Sequence, residues 1–495
     1  MEPATAPASP TTFDTGTGTS PGHDAEPIST LGALRASGYI SKPVKQEVRD
    51  NLIARLAAGD ERFPGILGFD ETVLPQVERA LLAGHDLVLL GERGQGKTRL
   101  IRTLVGLLDE WTPVVAGCEI NDDPYAPVCG RCRALHAELG DELPVAWRHS
   151  SERYGEKLAT PDTSVGDLIG DVDPIKVAEG RTLGDPETVH YGLVPRTNRG
   201  IFCVNELPDL AERIQVSLLN VLEERDIQVR GYTLRMPLDL LLVASANPED
   251  YTNRGRIITP LKDRFGAEVR THYPLRLEDE LSLVRQEAAL EWGETSGGPR
   301  LGSPVLPEHL LEVVGRFTRA VRTAPQVDGR SGVSARLAIA AAETVAASAV
   351  RRAAVSGEAE PVARVVDLAS VVPAVRGKVE FDTLEEGREE EVLTHLMRRA
   401  TADTFRARLA GVDLSGLQQR VEASGPVETG DLVPAAALLA SVGPVSGLST
   451  IMSRLGIDGG ESPGLAASAI EFALEGLHLH RRLSKEELPG RTVYG

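Results

Sequence analysis

Eight consecutive residues carry the strongest chemical signal in this chain: Gly91, Glu92, Arg93, Gly94, Gln95, Gly96, Lys97 and Thr98 fit the spacing G-x-x-x-x-G-K-[ST]. Glycines at these positions let a loop wrap phosphates, so that successive backbone N–H groups and a helix N-terminus face the anion. Lys97 then reaches the β and γ phosphates of a nucleotide, and the Thr98 hydroxyl binds Mg²⁺. The chemistry requires a strand before the loop and a helix after it. The apolar run from Asp86 to Leu90 and the helical pattern from Thr98 to Leu108 supply both.

Phosphoryl transfer to water also needs an acidic pair at the end of a second strand. Gly200-Ile-Phe-Cys-Val-Asn205-Glu206-Leu207 is the best candidate, with Glu206 placed to polarise a water. Asn205 stands where a metal-binding aspartate is expected. Its amide brings no negative charge, so either metal affinity falls or a neighbouring carboxylate such as Asp209 compensates. The plainer alternative is that Asn205 and Glu206 cap the helix that follows. A third apolar strand ends at Val243-Ala-Ser-Ala-Asn247, and Asn247 at its C-terminal end is positioned to orient the attacking water. Arg264 and Arg336 are candidates for stabilising charge on the γ-phosphate, one supplied in trans and one from a helical lid; solvated helix arginines are the bland reading.

A separate constellation is Cys118, Cys129, Cys132 and His136, spaced C-x10-C-x2-C-x3-H. The C-x2-C pair chelates one ion, and four such ligands close a tetrahedral structural zinc site. An Fe–S cluster on three thiolates and a loop of incidental reduced thiols remain alternatives. Cys203, mid-strand, reads as a small core residue.

These residues must be held by a chain of 495 residues, with 53 Lys+Arg against 72 Asp+Glu and a net charge of −19. The length allows about three domains. The acidic balance argues against non-specific nucleic-acid binding and in favour of protein partners. The longest apolar runs fall well short of a membrane span, so no membrane association is expected. The first 30 residues lack the basic and apolar regions of a signal peptide, and with only four cysteines the protein is expected in the cytoplasm. The expected division is a disordered tail (1–30), an N-terminal helical segment (31–61), an α/β domain (62–275) with a cysteine-bearing insertion near 117–136, a helical lid (276–355) and a mainly helical C-terminal region (356–495). Within the α/β domain, strands at Asp86–Leu90, Thr112–Ala116, Ile201–Val204 and Leu240–Ala246 alternate with helices. That alternation implies a parallel sheet with helices on both faces.

Taken in order, the loop Gly91–Thr98, the Asn205-Glu206 pair, Asn247-Pro248, Asp263-Arg264-Phe265 and Val333-Ser-Ala-Arg336 resemble the successive motifs of an AAA+ P-loop NTPase, over roughly residues 62 to 355. Gly65-Ile-Leu-Gly-Phe, Gly192-Leu-Val, Asn198-Arg-Gly-Ile-Phe and the segment Glu223 to Gly231 look most like the magnesium chelatase I subunit and MoxR clade. The resemblance implies that Lys97 and Thr98 are Walker A residues, Asn205 and Glu206 the Walker B pair, Asn247 sensor 1, Arg264 the arginine finger of a neighbouring subunit and Arg336 sensor 2. It also implies ATP and Mg²⁺ as cofactors, a homo-oligomeric ring, commonly a hexamer, and a partner with a von Willebrand factor A domain. Ile227 to Met236 would be the clade's hairpin. Two functions follow: an ATPase that remodels or activates a partner, with metal insertion as one form of that work, or a nucleotide-gated, non-catalytic scaffold with a weakened Walker B site. An Asn205→Asp substitution separates them, because a marked rise in turnover favours the scaffold. An enhancer-binding transcription activator would need a Gly-Ala-Phe-Thr-Gly-Ala loop and a helix-turn-helix domain, and the sequence carries neither.

Overall fold

The computed structural model describes residues 28–172, 189–223, 227–229, 232–234, 236–248, 256–292, 301–328, 332–382, 385, 387–457 and 462–495. Most of the expected tail, and Gly231 at the expected hairpin turn, lie outside the described residues.

The strands in chain order are β1 (Leu87–Leu90), β2 (Trp111–Val115), β3 (Val145–His149), β4 (Tyr154–Leu158), β5 (Gly170–Val172), β6 (Val189–Tyr191), β7 (Gly200–Asn205), β8 (Ile227–Val229), β9 (Tyr232–Leu234), β10 (Leu240–Ala246) and β11 (Ala267–Arg270). Five of them form one sheet in the order β11-β1-β10-β7-β4, and every pair in it is parallel. The side chains of β1 show the two-residue period of a strand covered on both faces. Leu87 and Leu89 pack with Ile201, Cys203, Leu241 and Val243 on one side, whereas Val88 and Leu90 join Phe202, Val204 and Leu242 on the other. Cys203 is therefore a core residue, and burial pushes its thiol up to about 12.

One expected sheet member is displaced. The strand foreseen at Thr112–Ala116 is β2, which pairs antiparallel with β3 in a separate two-stranded sheet. Pro113 cannot donate a ladder hydrogen bond, which disfavours a place inside a sheet. Its place in the parallel sheet is taken by β4, whose polar Glu156 and Lys157 do not read as a buried strand because β4 is the sheet edge. The hairpin β8–β9 forms where the sequence suggested one, with Ile227 opposite Leu234.

The N-terminal helix Val44–Ala58 is locked to the sheet by a buried ion pair. Both Glu47 carboxylate oxygens accept from Arg153 at 2.7 Å, and Arg153 also donates to Arg199 O and Thr112 Oγ1. Removing one partner strands a buried charge, so Glu47→Ala is expected to lower stability by about 3–5 kcal/mol, read as a lower urea midpoint. Beyond the sheet, a single cluster of buried side chains runs from Leu281 to Tyr494, so the helices Glu308–Thr323 and Arg336–Ser356 share a core with the helix Glu389–Leu409 and the C-terminal residues. A small antiparallel sheet (Val427–Thr429, Arg491–Tyr494, Lys485–Leu488) closes that region, an addition to the helices expected there. Among the described residues no helix is long and apolar enough to cross a membrane.

Candidate functional site

β1, β7 and β10 end at one edge of the sheet, and their C-terminal ends carry the loop from Gly91, Asn205-Glu206 and Asn247 respectively. In open α/β sheets this edge is where ligands bind. Gly94 and Gly96 take left-handed φ values of +74° and +76°, a conformation that turns backbone N–H groups toward a common point. A Cβ at Gly94 would overlap the Ser334 side chain, so the lid segment rests directly on the loop, whereas a Cβ at Gly96 would enter open space. A cleft of about 290 Å³ opens beside the loop, bordered by Gly91, Glu92, Gln95, Pro248 and Arg270.

Lys97 is only 6% exposed, yet its ammonium is well supplied with acceptors. Nζ bonds Gly91 O, Glu92 O at 2.9 Å and Asn247 Oδ1 at 2.7 Å. The Asn247 amide nitrogen in turn donates to Glu206 Oε2 at 2.7 Å. Cation, amide and carboxylate thus form one continuous chain. Glu206 holds its position at a left-handed φ of 57°, an uncommon state for a residue with a Cβ and one that clusters at functional sites. Phosphate oxygens would replace the two backbone carbonyls as partners of Lys97, so the residues present fit a nucleotide triphosphate.

Thr98 Oγ1 lies 3.5 Å from Asn205 Oδ1, which places the two expected Mg²⁺-side groups together. A carboxylate that meets Asn205 directly is Glu156 of β4. Asn205 Nδ2 donates to Glu156 Oε1 at 2.6 Å, and Arg102 and Tyr154 donate to the same carboxylate. Burial opposes ionisation of Glu156, but the hydrogen bonds from Arg102, Tyr154 and Asn205 outweigh it and hold the carboxyl below its usual range. An aspartate at 205 would face this carboxylate with no donor between them, and two carboxylates at such range do not both ionise. Asn205→Asp alone is therefore expected to leave turnover flat, while Asn205→Asp with Glu156→Gln, which restores the bond in mirror image, raises it about tenfold over the single variant. Steady-state phosphate release checks this; a full gain from the single variant would refute the Glu156 coupling.

The two arginines occupy different settings. Arg264, at the end of the helix Thr259–Arg264, is 44% exposed at its side chain and bonds Glu223 Oε1 at 2.5 Å. Among the described residues no hydrogen bond joins it to the phosphate loop of its own chain. Arg336 opens the helix Arg336–Ser356, is exposed, and follows Ser334 and Gly332, both of which abut the loop. Two further residues that sequence reasoning did not single out fasten this segment: Tyr273 OH donates to Arg93 O at 2.8 Å, the Arg322 guanidinium stacks 4.3 Å from the Tyr273 ring centre, and Arg322 Nε donates to Val333 O. Neither they nor Glu156 belong to a local motif, so no signal in the sequence marked them.

The cysteine reading is corrected in one ligand. Cys118, Cys129 and Cys132 converge, but the fourth donor in the group is Asp122, and the donor atoms lie within 4.8 Å of one another. His136 stands outside the set. Its ring nitrogens are not among the converging donor atoms, whereas Asn121 in a left-handed turn (φ 53°) precedes Asp122, whose carboxylate is.

Sheet order, phosphate loop and the polar strand ends define a P-loop nucleotide-binding protein of the AAA+ class. The family model for the Sigma-54 interaction domain matches residues 181–264. The magnesium-chelatase 38 kDa subunit of Acidiphilium rubrum is 32% identical over 215 residues, 41% of this chain and 56% of that protein. Subunit ChlI-2 of Arabidopsis thaliana is 29% identical, over 46% of this chain and 53% of that one. The chain thus spans little more than half the length of these relatives. Among solved structures, a putative ATPase from Cytophaga hutchinsonii shares 14% identity at a TM-score of 0.29, covering 74% of this chain and 97% of its own. A BchI–BchD magnesium chelatase complex shares 22% at 0.34, covering 67% and 98%. Over its α/β region the chain is similar to the AAA+ ATPases of the magnesium chelatase I-subunit clade.

Proposed function

We propose that this protein binds ATP with Mg²⁺, hydrolyses it in an oligomeric ring, and uses the cycle to remodel or activate a partner protein. The observation that carries this reading is the unbroken chain Lys97–Asn247–Glu206 at the C-terminal edge of the sheet. Lys97 neutralises charge on the terminal phosphates, Glu206 accepts a proton from the attacking water, and Asn247, bonded to both, couples the state of the phosphate to the carboxylate. Thr98 Oγ1 would hold Mg²⁺ with Asn205 beside it, and the ion supplies neutralisation of the β and γ phosphates. Arg264 serves the site of the adjacent subunit and Arg336 reports occupancy to the lid that rests on Gly94. A partner with a von Willebrand factor A domain and metal insertion belong to the same proposal through the chelatase kinship.

The second reading, a nucleotide-gated scaffold, rests on the neutral Asn205. The Glu156 carboxylate one hydrogen bond away favours the enzyme. Steady-state ATPase with Mg²⁺, run beside a light-scattering mass with and without ATP, tests both. Turnover with an ATP-dependent ring supports the motor, and tight binding without turnover supports the scaffold.

A further inference from the structure

The segment between β2 and β3 serves none of the nucleotide chemistry, yet it contains the densest group of metal-type donors among the described residues. Cys132 and Asp122 are fully buried, Cys118 is 4% and Cys129 6% exposed. The backbone already supports thiolates: Asp122 N–H donates to Cys118 Sγ at 3.5 Å, and Cys132 N–H donates to Cys129 Sγ at 3.3 Å. Cys129 is the N-cap of the helix Gly130–Leu139, so its sulfur sits at the positive end of a helix dipole. Asp122 Oδ2 accepts from the Cys129 N–H at 3.0 Å, but Asp122 Oδ1 is buried with no hydrogen-bond partner. A fully buried carboxylate with an idle oxygen beside three thiols is costly unless a cation satisfies it.

We propose that Cys118, Asp122, Cys129 and Cys132 bind one structural zinc ion in a closed tetrahedral site. Three thiolates and one carboxylate oxygen are a soft, four-donor set that suits zinc and leaves no open position for catalysis. A tetrahedral ion at Zn–S distances of about 2.3 Å holds its sulfurs about 3.8 Å apart, so donors already within 4.8 Å need only a small contraction. An Fe–S cluster would keep the thiolates farther apart, because several irons intervene. The knuckle is latched to the lead into β7: Asn121 Nδ2 donates to Arg196 O at 3.0 Å, and Asn198 Nδ2 donates to Ile120 O at 3.1 Å. The ion therefore braces the segment that delivers Asn205 and Glu206, without touching the nucleotide.

The test is metal analysis of the full chain, purified from zinc-supplemented expression in buffer free of chelator. About one zinc per chain is expected, falling to about none in Cys118→Ser/Cys129→Ser/Cys132→Ser. Asp122→Ala lowers zinc retention, and His136→Ala leaves it unchanged. Because a chain without the thiols can fail to fold, the wild-type protein is also loaded with Co²⁺, which should give tetrahedral d–d bands and thiolate charge-transfer absorption. A zinc-free wild type that gives no such cobalt spectrum, a Cys129–Cys132 disulfide found by mass, or an iron chromophore overturns the proposal. Loss of zinc in His136→Ala with full retention in Asp122→Ala overturns the ligand set.

Discussion

Lys97→Ala is expected to cut turnover by roughly a hundredfold to a thousandfold, the loss that follows removal of one preorganised donor to developing oxyanion charge. Nucleotide affinity falls with it by roughly tenfold to a hundredfold, since a charge-assisted bond to phosphate contributes about 1.5–3 kcal/mol. The structure makes this substitution informative beyond the loop. Lys97 Nζ is the partner of Asn247 Oδ1, and Asn247 Nδ2 donates to Glu206, so the alanine variant also leaves the amide that holds the carboxylate without its cation. Isothermal titration with ATP and a phosphate-release assay read the two effects separately, with thermal unfolding as the control for a folded chain. Wild-type affinity and turnover in a folded Lys97→Ala protein would dismiss Gly91–Thr98 as the phosphate site.

Arg264→Ala is expected to reduce hydrolysis by about 10³-fold or more while sparing nucleotide binding, the behaviour of an arginine that meets the γ-phosphate from another chain. Its exposure and its pairing with Glu223 rather than with its own loop motivate the prediction. Mixing supplies the stringent version. Arg264→Ala chains keep a competent loop, and Glu206→Gln chains keep Arg264, so rings assembled from both should recover turnover that neither variant shows alone. If Arg264→Ala behaves as wild type, or if mixing recovers nothing, the arginine does not act across an interface.

Much of this site was legible because its signals are local. The run Gly91 to Thr98 sets its own backbone: two glycines supply the left-handed turns, the strand before it is visible as a continuous apolar run and the helix after it as a 3.6-residue pattern. Asn205-Glu206 and Asn247 were legible for the same reason, each closing an apolar run too hydrophobic to be anything but a central parallel strand. What is not local was not legible. β4 looks polar because an edge strand is covered on one side only, and so Glu156, which lies 49 residues from Asn205 in sequence, could not be anticipated as its partner. The same holds for Pro113 and β2, which helical and strand alternation assigns to the sheet but hydrogen-bond supply excludes from it.

The cysteine knuckle divides cleanly along this line. Spacing by itself put Cys129 and Cys132 together, because a C-x2-C pair at a helix start needs only one turn of chain, whereas the ten residues between Cys118 and Cys129 left the place of Cys118 to the fold. Which residue completes the set was decided by the fold. A left-handed Asn121 precedes Asp122, whose carboxylate joins the thiols, while the His136 ring is not among the converging donors. Sequence determined the chemistry that each segment carries, since residue type and short-range spacing are intrinsic to it; tertiary structure decided which carboxylate meets which amide, thiol or lysine, since those meetings depend on strand order and turn direction.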